Sequence, residues 1–284
     1  VLIFVCLLAL GLAAALWFAF GPMLRARRRS TLARLPVPAE WEPWLRRHMP
    51  FYERIPQPLR ARLHEIMHIF LREKTFVGCN DLTVTDEMRV VIAAYACLLV
   101  INRPGVPRKH FYDELMSILV YPTAFIVHES DEEDGLVTEG HRVLAGQAWD
   151  AQRIILSWED IEASVHEGVN VVLHEFAHYL DMEDETMDGA PALGSAAEYE
   201  AWAETFWAEY ERLAEQVDAG QETLLDPYAA TEPAEFFAVA TETFFHQPQA
   251  LREAHGKLYE QLVKYYRLDP ASWETSETAS AVTP

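Results

Sequence analysis

His174-Glu175-Phe176-Ala177-His178-Tyr179-Leu180-Asp181 decides how this chain is read. On a helix, His174 and His178 stand one turn apart on one face, so both imidazoles can reach a single Zn²⁺. The intervening Glu175 then sits beside the metal's water as general base. Leu173, Phe176, Ala177 and Leu180 form the apolar stripe of the same helix and leave the two histidines together on a neighbouring face.

The pattern occurs twice. His64-Glu65-Ile66-Met67-His68 has the same spacing, but Arg60 lies one turn before it and Arg72 one turn after. A face lined with cations disfavours a dication. The parallel stripe Leu59, Leu63, Ile66, Met67 and Phe70 marks an ordinary core-packing helix, with these histidines on a solvated face.

Zinc peptidases differ in their third ligand. A metzincin needs Gly at 181 and His at 184, where this chain has Asp181 and Asp184, so that type is excluded. A carboxylate from a later helix is the alternative. Pro233 to Phe245 reads as such a helix, with Pro in its first turn and a core stripe of Phe237, Ala240, Thr241 and Phe244. Glu235 and Glu242 share another of its faces, and spacing alone does not choose between them.

Outward from this centre, the 284 residues suffice for one large domain or two small ones, and half of them are hydrophobic, as in a folding chain. The net charge is −21, and with Arg25, Arg27, Arg28 and Arg29 set aside, residues 31–284 carry about −25. Such a surface repels phosphate backbones, which argues against direct nucleic-acid binding. Cys6, Cys79 and Cys97 are odd in number and form no C-x-x-C pair, so a disulfide framework is not expected.

Val1 to Phe20 carry no charged side chain, and twenty helical residues match a bilayer core of about 30 Å. Gly21-Pro22 is expected to break that helix, and the following arginines place the rest of the chain on the cytoplasmic side. The expectation is a single-pass membrane protein with its catalytic domain facing the cytoplasm. Residues 1–22 form the anchor, 23–57 a basic flank and connector, 58–272 the catalytic domain and 273–284 a disordered tail. Residues 58–76 and 86–102 read as helices. Short β-rich runs follow at 125–129, 143–149 and 153–158, and the pattern from Val165 onward is helical again. Helices, a small sheet, then helices give an α+β fold that is mostly helical.

Read together, these segments have a family look. His174 to Asp181 followed by Asp226-Pro-Tyr-Ala-Ala-Thr-Glu-Pro-Ala-Glu-Phe-Phe-Ala-Val239 closely resembles the zinc-dependent peptidases of the Mlc titration factor (MtfA) family. Phe76-Val-Gly78, Val84 to Arg89, Ile92 to Cys97, Val120-Tyr-Pro122, Gly146-Gln-Ala-Trp149, Leu156-Ser-Trp158 and Asp188-Gly189 agree in order, from about Trp41 to Pro270. The resemblance implies a zincin-like metallopeptidase domain, similar to that of anthrax lethal factor. It implies one Zn²⁺ per chain held by His174, His178 and Glu235, a zinc-bound water activated by Glu175, and Tyr228 stabilising the oxyanion. The substrate would be a peptide or protein, cut by amino- or endopeptidase action, and 143–149 would align it by strand addition. Asn80 stands where the family usually has Gly. The competing reading is a regulatory binding protein that sequesters a transcriptional repressor, with peptidase activity secondary.

Overall fold

The computed structural model describes residues 2–123, 152–167 and 169–273, with the side chains of most residues before Phe20 and of 165–167 also outside the description. Among the described residues, ten α-helices and three strands run in the order α1 (Leu2–Leu32), α2 (Trp41–His48), α3 (Gln57–Glu73), β1 (Thr75–Gly78), α4 (Asp86–Val100), β2 (Ser117–Tyr121), β3 (Arg153–Ser157), α5 (Trp158–Glu167), α6 (Val171–Asp181), α7 (Ala196–Asp218), α8 (Pro233–His246), α9 (Pro248–Ala254) and α10 (Gly256–Tyr266). The chain is mostly helical with a small sheet, as expected. These three strands pair in parallel, in the order β1-β2-β3, with Thr75 opposite Ser117 and Ser117 opposite Arg153. Parallel pairing requires a long crossover, and α4 supplies it between β1 and β2. Of the strands expected from the sequence, only 153–158 falls within the described residues; 125–129 and 143–149, with the proposed substrate strand, lie outside them.

Two boundaries differ from the sequence reading. The helix expected to reach residue 76 ends at Glu73, because Lys74 turns extended and the β-branched Thr75 and Val77 pair into the sheet edge. The first helix is not broken at Gly21-Pro22 but continues through Pro22 to Leu32. A mid-helix proline forfeits one N–H and crowds the preceding turn, and the strong helix formers Met23, Leu24, Arg25 and Ala26 carry the helix past it. Among the described residues no helix is long and apolar enough to cross a membrane. The anchor expected over 1–22 falls on the stretch where most side chains lie outside the description. Of the arginine cluster, Arg29 is a docking residue instead of a flank: it is buried, forks onto Glu73 at 2.8 and 2.9 Å, meets Asp113 at 2.8 Å and donates to the carbonyl of Pro107 at 2.6 Å.

The connector contributes to the core through Trp41, Leu45, Met49, Phe51, Tyr52 and Ile55. Trp41 also corrects the reading of the first His-x₃-His pair. Its ring lies 4.6 Å from that of His68, and His64 is buried, with its Nε2 3.0 Å from the Tyr52 hydroxyl. The two histidines form a packed face and not a solvated one, with His64 hydrogen-bonded and His68 against the Trp41 ring. The helical period showed where they point, but α2, which covers them, comes from elsewhere in the chain. Cys97 is buried within α4 and all three cysteines are free. Asn80 sits at φ 49°, a left-handed conformation where Gly is unstrained and Asn is the best-tolerated substitute, so the departure from the family glycine is absorbed locally.

Helix α6 lies at the centre, packed on α8, α4 and β3. Phe176 faces Tyr112 at 5.1 Å and Phe70 at 5.9 Å between ring centroids. Behind α8, Phe236 and Phe237 pack on Trp202 and Phe206 of α7. Each fully buried phenylalanine is worth roughly 1.5–3 kcal/mol. The end of α6 is tied to the start of α8 by one glycine. Gly189 has φ 78°, and a Cβ there would stand 2.4 Å from the carbonyl oxygen of Pro233. Its N–H donates to Asp181 Oδ2 at 2.9 Å and its carbonyl accepts from the Trp202 indole at 2.9 Å. Only glycine permits that approach, and it sets the two helices that carry the candidate site.

Candidate metal centre

Asn170, itself extended, opens α6: its side chain accepts the Leu173 N–H at 2.9 Å and starts the helix three residues before His174. Pro233 opens α8 two residues before Glu235. Where the two helices meet, His174, His178 and Glu235 bring one ligand atom each to a common point. Glu235 Oε2 lies 3.0 Å from His174 Nε2 and 3.4 Å from His178 Nε2, and the two Nε2 atoms are 3.1 Å apart. Among the described residues this is the one group of three His, Cys, Asp or Glu side chains close enough to hold an ion. Tetrahedral zinc at about 2.0–2.1 Å from N and O ligands holds them about 3.3 Å apart, which these spacings match. Glu235 Oε2 is buried without a hydrogen bond of proper geometry. A cation satisfies three converging lone pairs better than any proton arrangement.

The two carboxylates that sequence spacing left open have different neighbours in the structure. Glu235 joins the two Nε2 atoms, whereas Glu242, two turns along α8, lies behind His174 with Oε1 2.8 Å from Nδ1. Both carboxylates are on the expected face; the crossing of α6 and α8 gives them different partners. The sequence reading weighed Glu242 only as an alternative third ligand and did not foresee a contact with His174 Nδ1; its spacing of seven residues from Glu235 was the available signal.

Glu175 is buried on the same helix, and burial, reinforced by Glu235 and Glu242, pushes its carboxyl up to about 7. Tyr228 lies on a single turn, Pro227–Ala230, with its ring centroid 6.3 Å from that of His174. Asp226 Oδ1 accepts the Tyr228 N–H at 2.8 Å and the Thr231 hydroxyl donates to the Tyr228 carbonyl at 2.7 Å, which fixes the turn. The residue remains 41% exposed. The phenol is raised by burial and by the Glu235 carboxylate.

The three converging groups share charge unevenly. Burial opposes protonation of His174, but Glu235 and Glu242 on its two sides reverse this and raise it well above the ordinary imidazole value. His178 is lowered, by burial and by its cationic neighbour. Glu235 is held well below the usual carboxylate range by the two imidazoles, against the effect of burial. Without metal, the two flanking carboxylates therefore favour the protonated form of His174. A metal needs that imidazole neutral, so loading at pH 7 should release roughly one proton, and affinity should rise with pH through the neutral range. Calorimetric titration with zinc in buffers of different ionisation enthalpy measures this; heats that do not depend on the buffer would contradict it.

Comparison with known proteins supports the chemistry of this geometry. A family model described as glucose-regulated metallo-peptidase M90 matches residues 23–267. An uncharacterised protein of Synechocystis, slr2042, is 44% identical over 248 residues, covering 86% of this chain and 89% of the relative. Mlc titration factor A of Pectobacterium atrosepticum is 34% identical over 215 residues, covering 73% and 80%. Its counterpart in Yersinia pestis is 32% identical over 247 residues, covering 84% and 89%.

Proposed function

Since the chain belongs to the glucose-regulated metallo-peptidase M90 family and is related to Mlc titration factor A, we propose that it is a zinc-dependent peptidase whose metal is held by His174, His178 and Glu235. The observation that carries this reading is the meeting of three candidate ligand atoms on the helix of a buried carboxylate, Glu175, that is not one of the three. A zinc ion there supplies Lewis-acid polarisation of a peptide carbonyl and acidifies water. Glu175 takes the proton of the attacking water and passes it to the leaving amine. The Tyr228 hydroxyl donates to the oxygen on which negative charge develops. Glu235 and the imidazoles stay in place and bind.

The printed name of the relatives, a titration factor for Mlc, supports a second reading in which the domain captures a regulatory protein. An intact Glu175 favours chemistry, because capture has no use for a buried carboxyl that costs stability.

The test is metal content by mass spectrometry and cleavage of a mixed peptide library by the purified chain. One zinc per chain and cleavage that stops with a chelator and returns with zinc is the expected result. Cleavage indifferent to the chelator, or a chain without stoichiometric metal, would overturn the proposal.

A further inference from the structure

Glu242 has no role in the chemistry above, yet among the described residues it is one of the most buried carboxylates, 3% exposed on a helix whose residues from Ala234 to Phe245 are all buried. A carboxylate in such surroundings is costly unless both oxygens are engaged. Here both are. Oε1 meets His174 Nδ1 at 2.8 Å, and Oε2 accepts the backbone N–H of Asn170, the residue that caps α6.

We infer that Glu242 is the positioning residue of this centre, holding His174 in the tautomer and ring orientation that a metal requires while anchoring the start of the helix that carries both histidines. The inference rests on the metal-centre reading. An ionised carboxylate only accepts, so the proton of a neutral His174 resides on Nδ1, and the Nε2 lone pair is left aimed at Glu235 and His178. An acceptor behind a metal-bound imidazole also raises its basicity as a ligand, and losing one typically weakens metal binding about 10–100-fold. Glutamine cannot replace it. Its single oxygen satisfies either His174 or Asn170; the amide then either opposes the Asn170 N–H, donor to donor, or donates to Nδ1 and drives the proton onto Nε2.

The experiment measures zinc affinity, by competition with a chromophoric chelator, for wild type, Glu242→Gln and Asn170→Ala, together with the melting temperature of each metal-free protein. Asn170→Ala removes the cap side chain but leaves the backbone N–H on Glu242. The expected result is a dissociation constant raised about 10–100-fold in Glu242→Gln, against a lowered melting temperature and near wild-type affinity in Asn170→Ala. Glu242→Gln binding zinc as tightly as wild type, or losing no more affinity than Asn170→Ala, would overturn the inference. Should Glu242→Gln fail to fold, nitrogen NMR of ¹⁵N-histidine-labelled, zinc-loaded wild type decides: His174 carries its proton on Nδ1, and an unprotonated Nδ1 refutes the assignment. A wild type that binds no zinc would instead sink the metal-centre reading itself.

Discussion

Glu175→Gln should bind one zinc per chain with wild-type affinity and cleave peptides about 10²–10⁴-fold more slowly, the span that a positioned general base contributes. The substitution keeps the shape of the side chain and removes only its capacity to take a proton. Glu175 is not among the converging ligands, so metal retention is expected. Stability gives a second readout. Burial, with Glu235 and Glu242 nearby, raises this carboxyl to about 7, above its unfolded value. An acid raised in this way costs the folded state stability increasingly as pH climbs from about 4.5 to about 7, where ionisation is forced in the unfolded chain first. The metal-free glutamine variant escapes that penalty and should melt at or above the wild-type temperature at pH 7. Metal analysis, kcat/KM and melting curves on the two proteins check all three points. Activity within a few-fold of wild type would remove Glu175 from the mechanism.

Tyr228→Phe should lower kcat by about 10²–10³ with little change in KM, the signature of a hydrogen bond made mainly in the transition state. The turn that carries the ring is fixed by its own backbone contacts with Asp226 and Thr231, so loss of the hydroxyl leaves the ring beside His174. The phenol is raised by burial and by Glu235, so it keeps its proton, and its capacity to donate, across the neutral range. A variant with full kcat, or one affected only in KM, would assign Tyr228 to substrate contact alone.

Much of this centre is legible in the chain itself. The i, i+4 spacing of His174 and His178 and the apolar residues around them give the helix and its two faces, and the structure has Leu173, Phe176, Ala177 and Leu180 in the core. The helix of Glu235 is likewise marked by Pro233 and by its stripe. The misreadings are of a different kind. The short strands Thr75–Gly78 and Ser117–Tyr121 carry little periodicity in four or five residues, and their pairing joins segments about forty residues apart. Pro22 was expected to stop a helix that its neighbours sustain.

What the sequence determined by itself is what repeats every 3.6 residues: which side chains share a face, and which residues open each helix. Only the tertiary structure decided which partner each face meets. His64 and His68 have the same spacing as His174 and His178, but Trp41 and Tyr52 close over the first pair, whereas Glu235 is brought to the second. Glu235 and Glu242 share one face, yet one joins the histidine Nε2 atoms and the other supports Nδ1 from behind. The difference comes from the crossing of α6 and α8, set where Gly189 lets the backbone meet Pro233. Helical period is a local property of the backbone, while the opposing surface is supplied by residues distant in the chain and brought there by burial of the core.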